Sequence, residues 1–275
     1  MRIGTVITNG TPTPVVERDG ALVPLDVPAG TTVADLIAAG DAIPAPAADA
    51  AALQADAQLA APLAPGKIVA IGLNYMDHVR ETGLEKPTSP LVFTKFTTSV
   101  IGDGEQIRVD RAITQRVDWE VELAAVIGRT MTRVSVEDAL SHVFGYTVAN
   151  DVSARDVQFA DGQWVRGKSL DTFCPLGPAI VTADEVSDPQ ALGLWTRVNG
   201  ETVQDSNTKE MVFGVAELLS FCSHSFTLEP GDVVLTGTPW GCGEFMDPIR
   251  SLKAGDVVEV EVEGIGKVAN PVVEI

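Results

Sequence analysis

Beyond residue 66 the chain is a succession of short apolar blocks, KIVAIG, PLVFTKF, EVELAAVIG, GYTVAND, PAIVT, DVVLTG and DVVEVEVEG, separated by turn-forming residues. Their length and their Val and Ile content predict a strand-rich body. Helical patterning is scarcer. One helix is expected after Ser135, where S-V-E-D makes a capping box, and another over FGVAELLSFCS, residues 213–223. Asn199-Gly200 predicts a hairpin, and PGDVV at 230–234 and AGDVV at 254–258 are turn-to-strand entries. The first forty residues carry their own signals: VVERDGALVPLD with a type I′ turn at Asp19-Gly20, then a short helix capped by Thr31 or Thr32, with Asp35 behind the cap and Val33, Leu36 and Ile37 apolar. From about 41 to 66 Ala, Pro, Asp and Gln dominate, which predicts a helix-prone connector. The expected division is a small N-terminal α/β domain over 1–63 and a catalytic domain over 64–275. No regular repeat interrupts this picture.

Composition narrows the function. The 275 residues are 45% hydrophobic with no apolar run long enough to span a bilayer, and the formal net charge of −19 repels phosphate backbones and anionic lipid. Nucleic-acid and membrane roles are therefore not expected. The N-terminus lacks a signal-peptide pattern and there are only three cysteines, Cys174, Cys222 and Cys242, so a cytoplasmic home is expected. An anionic small substrate would need a local positive centre, supplied by a metal or by a few inward basic side chains.

The segment V-D-W-E-V-E-L, residues 117–123, carries the clearest chemistry. Period-two geometry puts Asp118, Glu120 and Glu122 on one strand face, and the continuation LAAVIG predicts a central, buried strand. Buried acids need a partner, and two glutamates at i and i+2 can share one hard cation. A solvated edge strand is the bland alternative. Downstream, N-D-V-S-A-R-D at 150–156 reads as a strand end turning into a helix, with Ser153 as the expected N-cap. Asp151 could add a third carboxylate, and Arg155 a planar fork for a substrate carboxylate.

In order, the segments IGLNYMDHVRE, FTKFTTSV, VDWEVELAAVIG, NDVSARDVQ, RGKSLDTFCPLGP, VNGETVQ and LTGTPWGCG resemble the fumarylacetoacetate hydrolase superfamily over nearly all of residues 66–275. The resemblance implies an α+β, mainly β fold, a mixed β-roll, assembled as a homodimer. It implies Glu120, Glu122 and Asp151 as ligands of Mg²⁺ or Mn²⁺, His78 as general base oriented by Glu81, and Lys168 as the stabiliser of a developing enolate. Arg155, Gln158, Thr238 and Lys95 are expected at the substrate. Glycines 237, 241 and 243 suit a loop whose backbone approaches a ligand, or a plain tight turn. Trp240, Cys242 and EFMD at 244–247 depart from what many relatives carry, and no histidine or acid stands at a fixed spacing from Cys242 in its motif, so no cysteine nucleophile is expected.

The activity implied is cleavage of a carbon–carbon bond in an acylpyruvate-type 2-oxo acid through an enolate. Decarboxylation of oxaloacetate and isomerisation of an unsaturated 2-hydroxy diacid use the same enolate chemistry and are the alternatives. A catalytically silent metal-binding homologue is disfavoured by the complete residue set.

Overall fold

A computed structural model describes residues 1–40, 42–47, 50–54 and 57–275. Among these residues the backbone of the fold is an eleven-stranded mixed sheet and a five-stranded sheet. Val121–Ile127 lies at the centre of the larger one, buried at every position, with Val143–Asn150 antiparallel on one side and Val233–Leu235 antiparallel on the other. The alternation of its side chains explains the burial. Val121, Leu123, Ala125 and Ile127 pack into a core shared with Val258, Val260 and Val262 of the second sheet, while Ala124 and Val126 face a second core with Ile68, Leu235 and the N-terminal Val33 and Ile37. Both faces are covered, as a strand that is apolar at every position except Glu122 requires.

Outward from the centre, Val233–Leu235 pairs in parallel with Ile68–Gly72, and Leu91–Lys95 forms that edge. On the other side, Cys174–Thr182 pairs with Arg2–Thr8, so the N-terminal strands continue the main sheet. The hairpins have the expected left-handed turns, with φ of 54° and 78° at Asp19 and Gly20 and 52° and 83° at Asn199 and Gly200. Thr32 caps Val33–Ala39 through a capping box with Asp35, and Ser135 caps Val136–Ala139. Helix Val215–Ser225 begins two residues later than expected, after Gly214. The architecture is a mainly β α+β fold with open sheets.

The connector departs from its expectation. Among its described residues no helix forms, and Leu59–Ala60 instead pairs with Thr5 and Val6; the expectation at residues 41, 48, 49, 55 and 56 lies outside the described residues. Alanine propensity is small against Pro44 and Pro46, which remove helix donors, and the segment has no apolar stripe to bury. No helix among the described residues is long and apolar enough to cross a membrane.

Candidate active site

The acidic segment is two strands, Val117–Asp118 and Val121–Ile127, with Trp119 and Glu120 between them outside regular pairing. The break separates the acids that an unbroken strand would align. Asp118 turns to Arg155, whose Nε donates to Asp118 Oδ2 at 2.9 Å, and also accepts from the Gly243 and Glu244 amides at 2.7 and 3.1 Å. Glu120 and Glu122 meet Asp151, with one oxygen of each within 4.8 Å of the others. Main-chain bonds hold this convergence: Glu120 N–H donates to Asn150 Oδ1 at 3.0 Å, and Asp151 N–H to Glu120 O at 2.9 Å. Ser153 is not a helix cap. It lies in a two-residue strand paired with Asp118 and donates its hydroxyl to Asp151 O, while Arg155–Asp161 starts without a side-chain cap.

Three cations surround the acids. Lys168 Nζ lies 2.7 Å from Glu120 Oε2 and 2.9 Å from Asp151 Oδ2; Lys95 Nζ lies 2.6 Å from Asp151 Oδ1; Arg155 Nη2 lies 2.7 Å from Glu120 Oε1. Burial opposes the charged form of Glu120, but Lys168 and Arg155 outweigh it and hold its pKa down to about 2. Burial likewise opposes charge on Lys168, yet Asp151 and Glu120 keep its pKa above the ordinary lysine value.

Glu122 is the exception. Its Oε2 accepts from Gly237 N–H at 2.6 Å, and among the described residues it forms no ion pair. Burial, then repulsion from Asp151 and Glu120, pushes its pKa well up. Three buried carboxylates with one short of positive charge fit a hard divalent ion with oxygen ligands, which would relieve that repulsion. Glu120, Glu122 and Asp151 could hold it.

The glycine-rich loop approaches the site's own carboxylates. Gly237, Gly241 and Gly243 amides donate to Glu122, Glu81 and Asp118 at 2.6, 2.8 and 2.7 Å. Gly241 has φ of 95°, and a Cβ there would run into the Val203 carbonyl, so glycine is required. On helix Met76–Thr82, His78 Nδ1 and Glu81 Oε2 are 2.7 Å apart, as i,i+3 spacing allows. Asn74 ties the start of this segment to the glycine loop, donating to Thr236 O at 2.8 Å.

His78, Glu120, Arg155, Gln158, Lys168 and Thr238 line one cavity of about 160 Å³, whose remaining wall is mostly apolar, with Leu84, Leu91, Phe93, Phe159, Trp164 and Phe245. Glu122 and Asp151 are buried and do not line it, although Asp151 pairs with Lys168, which does. Lys95 is not on its wall: the side chain is fully buried behind Asp151 and also donates to Val152 O at 3.2 Å. Arg155, already engaged by Asp118 and Glu120, has its Nη1 on Gln158 Oε1 at 3.1 Å. Cys242 is buried beside His78 and Glu81, and burial raises its pKa well above the ordinary thiol value, which disfavours a nucleophilic thiolate.

Sequence reasoning missed Gln204. Fully buried, it accepts from Val121 N–H at 3.1 Å and from the Thr196 hydroxyl at 2.6 Å, and donates to Thr238 Oγ1 and Pro239 O, both at 3.0 Å. It thereby clamps the acidic strand to the pocket loop. Within VNGETVQ nothing local marks it, because Val203 and Gln204 are both buried and break the alternation.

A buried carboxylate centre suited to a hard cation, set beside an apolar pocket with a histidine–glutamate pair, defines the class of site. The Fumarylacetoacetate (FAA) hydrolase C-terminal family matches residues 67–273, and the chain belongs to this family. A mitochondrial oxaloacetate tautomerase of Xenopus laevis is 52% identical over 211 residues, which cover 76% of this chain and 66% of that protein, just under two thirds of its length. Over the whole of both chains, the fold is similar to a fumarylacetoacetate hydrolase from Exiguobacterium antarcticum, with a TM-score of 0.93 and 39% identity. A 5-carboxymethyl-2-hydroxymuconate delta-isomerase from Mycobacterium smegmatis also matches over both full chains, with a TM-score of 0.84 and 38% identity.

Proposed function

We propose that the protein is a Mg²⁺- or Mn²⁺-dependent enzyme that forms and stabilises the enolate of a small 2-oxo acid, and that keto–enol interconversion of an oxaloacetate-type substrate is its activity. The observation that carries this reading is the placement of two proton-handling groups, the His78–Glu81 pair and Lys168, on one pocket beside three converging carboxylates. The similarity to the Xenopus oxaloacetate tautomerase supports the substrate class.

A bound hard cation supplies Lewis-acid polarisation of the 2-oxo group. His78, with Nδ1 held by Glu81, offers Nε2 to take a proton from the carbon next to the carbonyl and to return it. Glu81 fixes the ring orientation and stabilises the imidazolium between the two transfers. Lys168 remains charged between Glu120 and Asp151 and directs a hydrogen bond at the oxygen where enolate charge develops. Gln158 and Thr238 orient the substrate carboxylate. Arg155 and Lys95 act behind these groups, fixing Glu120 and Asp151.

Hydrolysis of an acylpyruvate is the second reading, favoured by the likeness to the Exiguobacterium hydrolase over the full chain. Purified protein with Mg²⁺ is given enol-oxaloacetate and acetylpyruvate in parallel. Accelerated ketonisation of the first, with the second left intact, supports the tautomerase reading. Acetylpyruvate cleaved while enol-oxaloacetate decays at its spontaneous rate overturns it. Residues 1–63 as an appended domain, a homodimeric assembly and a cytoplasmic location belong to the same proposal; light scattering of the purified chain tests the dimer.

A further inference from the structure

Cys242 has no part in the chemistry proposed above, yet the fold sets its thiol beside the one histidine of the pocket. A ring nitrogen of His78, a carboxylate oxygen of Glu81 and Cys242 Sγ all lie within 4.8 Å of one another. The arrangement is held from both sides. Gly241 N–H, next to Cys242, donates to Glu81 Oε1 at 2.8 Å, and the Phe245 ring meets His78 edge-on at a centroid distance of 5.3 Å. His78 and Glu81 belong to helix Met76–Thr82 and Cys242 to the distant glycine loop, so tertiary folding alone assembles the trio.

The donor set differs in kind from the three converging carboxylates. Nitrogen, oxygen and sulfur donors converging on one point suit borderline and soft dications, whereas an all-oxygen set suits Mg²⁺ or Mn²⁺. Metal–ligand bonds of about 2.0–2.3 Å in a tetrahedron place ligand atoms about 3.3–3.8 Å apart, so separations of up to 4.8 Å need to close by at most about 1.5 Å, while the 2.7 Å contact between His78 and Glu81 opens to admit the ion.

We propose that His78, Glu81 and Cys242 form a second metal site, selective for Zn²⁺-type and Cd²⁺-type ions, whose occupation withdraws His78 from the pocket. Binding takes the imidazole neutral and releases the thiol proton of Cys242 to solvent. The hard-ion centre and this site then answer to different metals in one protein, one supporting turnover and the other stopping it.

The direct test is titration of metal-stripped protein with Cd²⁺, following the ultraviolet thiolate-to-cadmium charge-transfer band. One equivalent is expected to saturate the band in the wild type, Zn²⁺ to abolish it, and excess Mg²⁺ to leave it. Cys242→Val and Cys242→Ser are each expected to lose it although Cys174 and Cys222 remain, and His78→Asn to weaken Cd²⁺ at least tenfold in the folded protein. A band that survives both Cys242 substitutions, that Mg²⁺ displaces, or that is missing from the wild type at stoichiometric metal overturns the site. Zn²⁺ inhibition at saturating Mg²⁺, read against each variant's own zinc-free rate, is expected to weaken at least tenfold in Cys242→Val. Equal inhibition in both proteins refutes the blocking role. That arm rests on the proposed activity and the cadmium band does not, so the two failures are distinguishable.

Discussion

Replacing Gln204 by leucine keeps the side-chain volume close to constant while deleting a clamp between the two halves of the site. The wild-type amide accepts from Val121 N–H and the Thr196 hydroxyl and donates to Thr238 Oγ1 and Pro239 O. Hydroxyls rotate and can find other partners. The Val121 amide is fixed in buried main chain and cannot, and the Pro239 carbonyl keeps only the long, weak contact from Cys242 Sγ at 3.9 Å. An orphaned buried group costs about 1–3 kcal/mol, so two of them cost about 2–6 kcal/mol, with the lower half expected if a water molecule enters. For a chain of this size about 2–4 kcal/mol corresponds to a fall in Tm of about 5–15 °C. Because Val121 lies between Glu120 and Glu122, the variant is also expected to bind Mn²⁺ about tenfold or more weakly. Thermal melting and a Mn²⁺ isotherm read both effects. A Tm within about 2 °C of wild type together with unchanged Mn²⁺ affinity would refute the reasoning, since the orphaned groups would then carry no cost.

Lys95→Met breaks a fully buried ion pair and is expected to destabilise metal-free protein by about 3–5 kcal/mol. Excess Mg²⁺ narrows the gap by restoring positive charge beside Asp151; denaturant melts showing the same gap in EDTA and in Mg²⁺ contradict this. Glu81→Gln leaves His78 without its carboxylate brace, and the proposed chemistry then loses about 10–100-fold in kcat with little change in KM, measured by enol-oxaloacetate ketonisation. Unchanged kcat removes Glu81 from the mechanism. Gly241→Ala forces a side chain into the Val203 carbonyl at φ of 95° and is expected to lower the Tm more than Cys242→Val next to it; the reverse order in calorimetry contradicts the packing.

How far the sequence foretold the site follows from what local patterning can encode. Glu120 and Glu122 were legible because two-residue spacing ran straight into LAAVIG, and that run does form the central strand. Asp118 belongs to the same pattern yet faces Arg155, because the strand breaks at Trp119, whose Nε1–H donates to Gly241 O at 3.0 Å. That long-range bond has no local signature. The two hairpins, the capping box at Thr32 and the N-cap at Ser135 were legible because each depends on residues within one turn, although at Ser135 the side chain alone caps and no reciprocal bond from Asp138 to the cap backbone forms. Ser153 failed as a cap since its hydroxyl found Asp151 O two residues back. Lys95 had an overlooked signal: it shares the buried parity of Phe93 on Leu91–Lys95, which points its ammonium inward. In the connector, alanine content suggested helix, but without an apolar stripe there was nothing for a helix to pack against. Gln204 and the neighbourhood of Cys242 exist only once distant segments meet.

The central claim is that Glu120, Glu122 and Asp151 share one hard cation, and Glu122 tests it most directly because it alone of the three lacks a lysine or arginine partner among the described residues. The measurement is Mn²⁺ binding followed by electron paramagnetic resonance, in wild type and in Glu122→Gln. A single Mg²⁺-competed site in the wild type, weakened at least about 30-fold by the substitution, is the predicted result. Equal Mn²⁺ affinity in the two proteins would contradict the account.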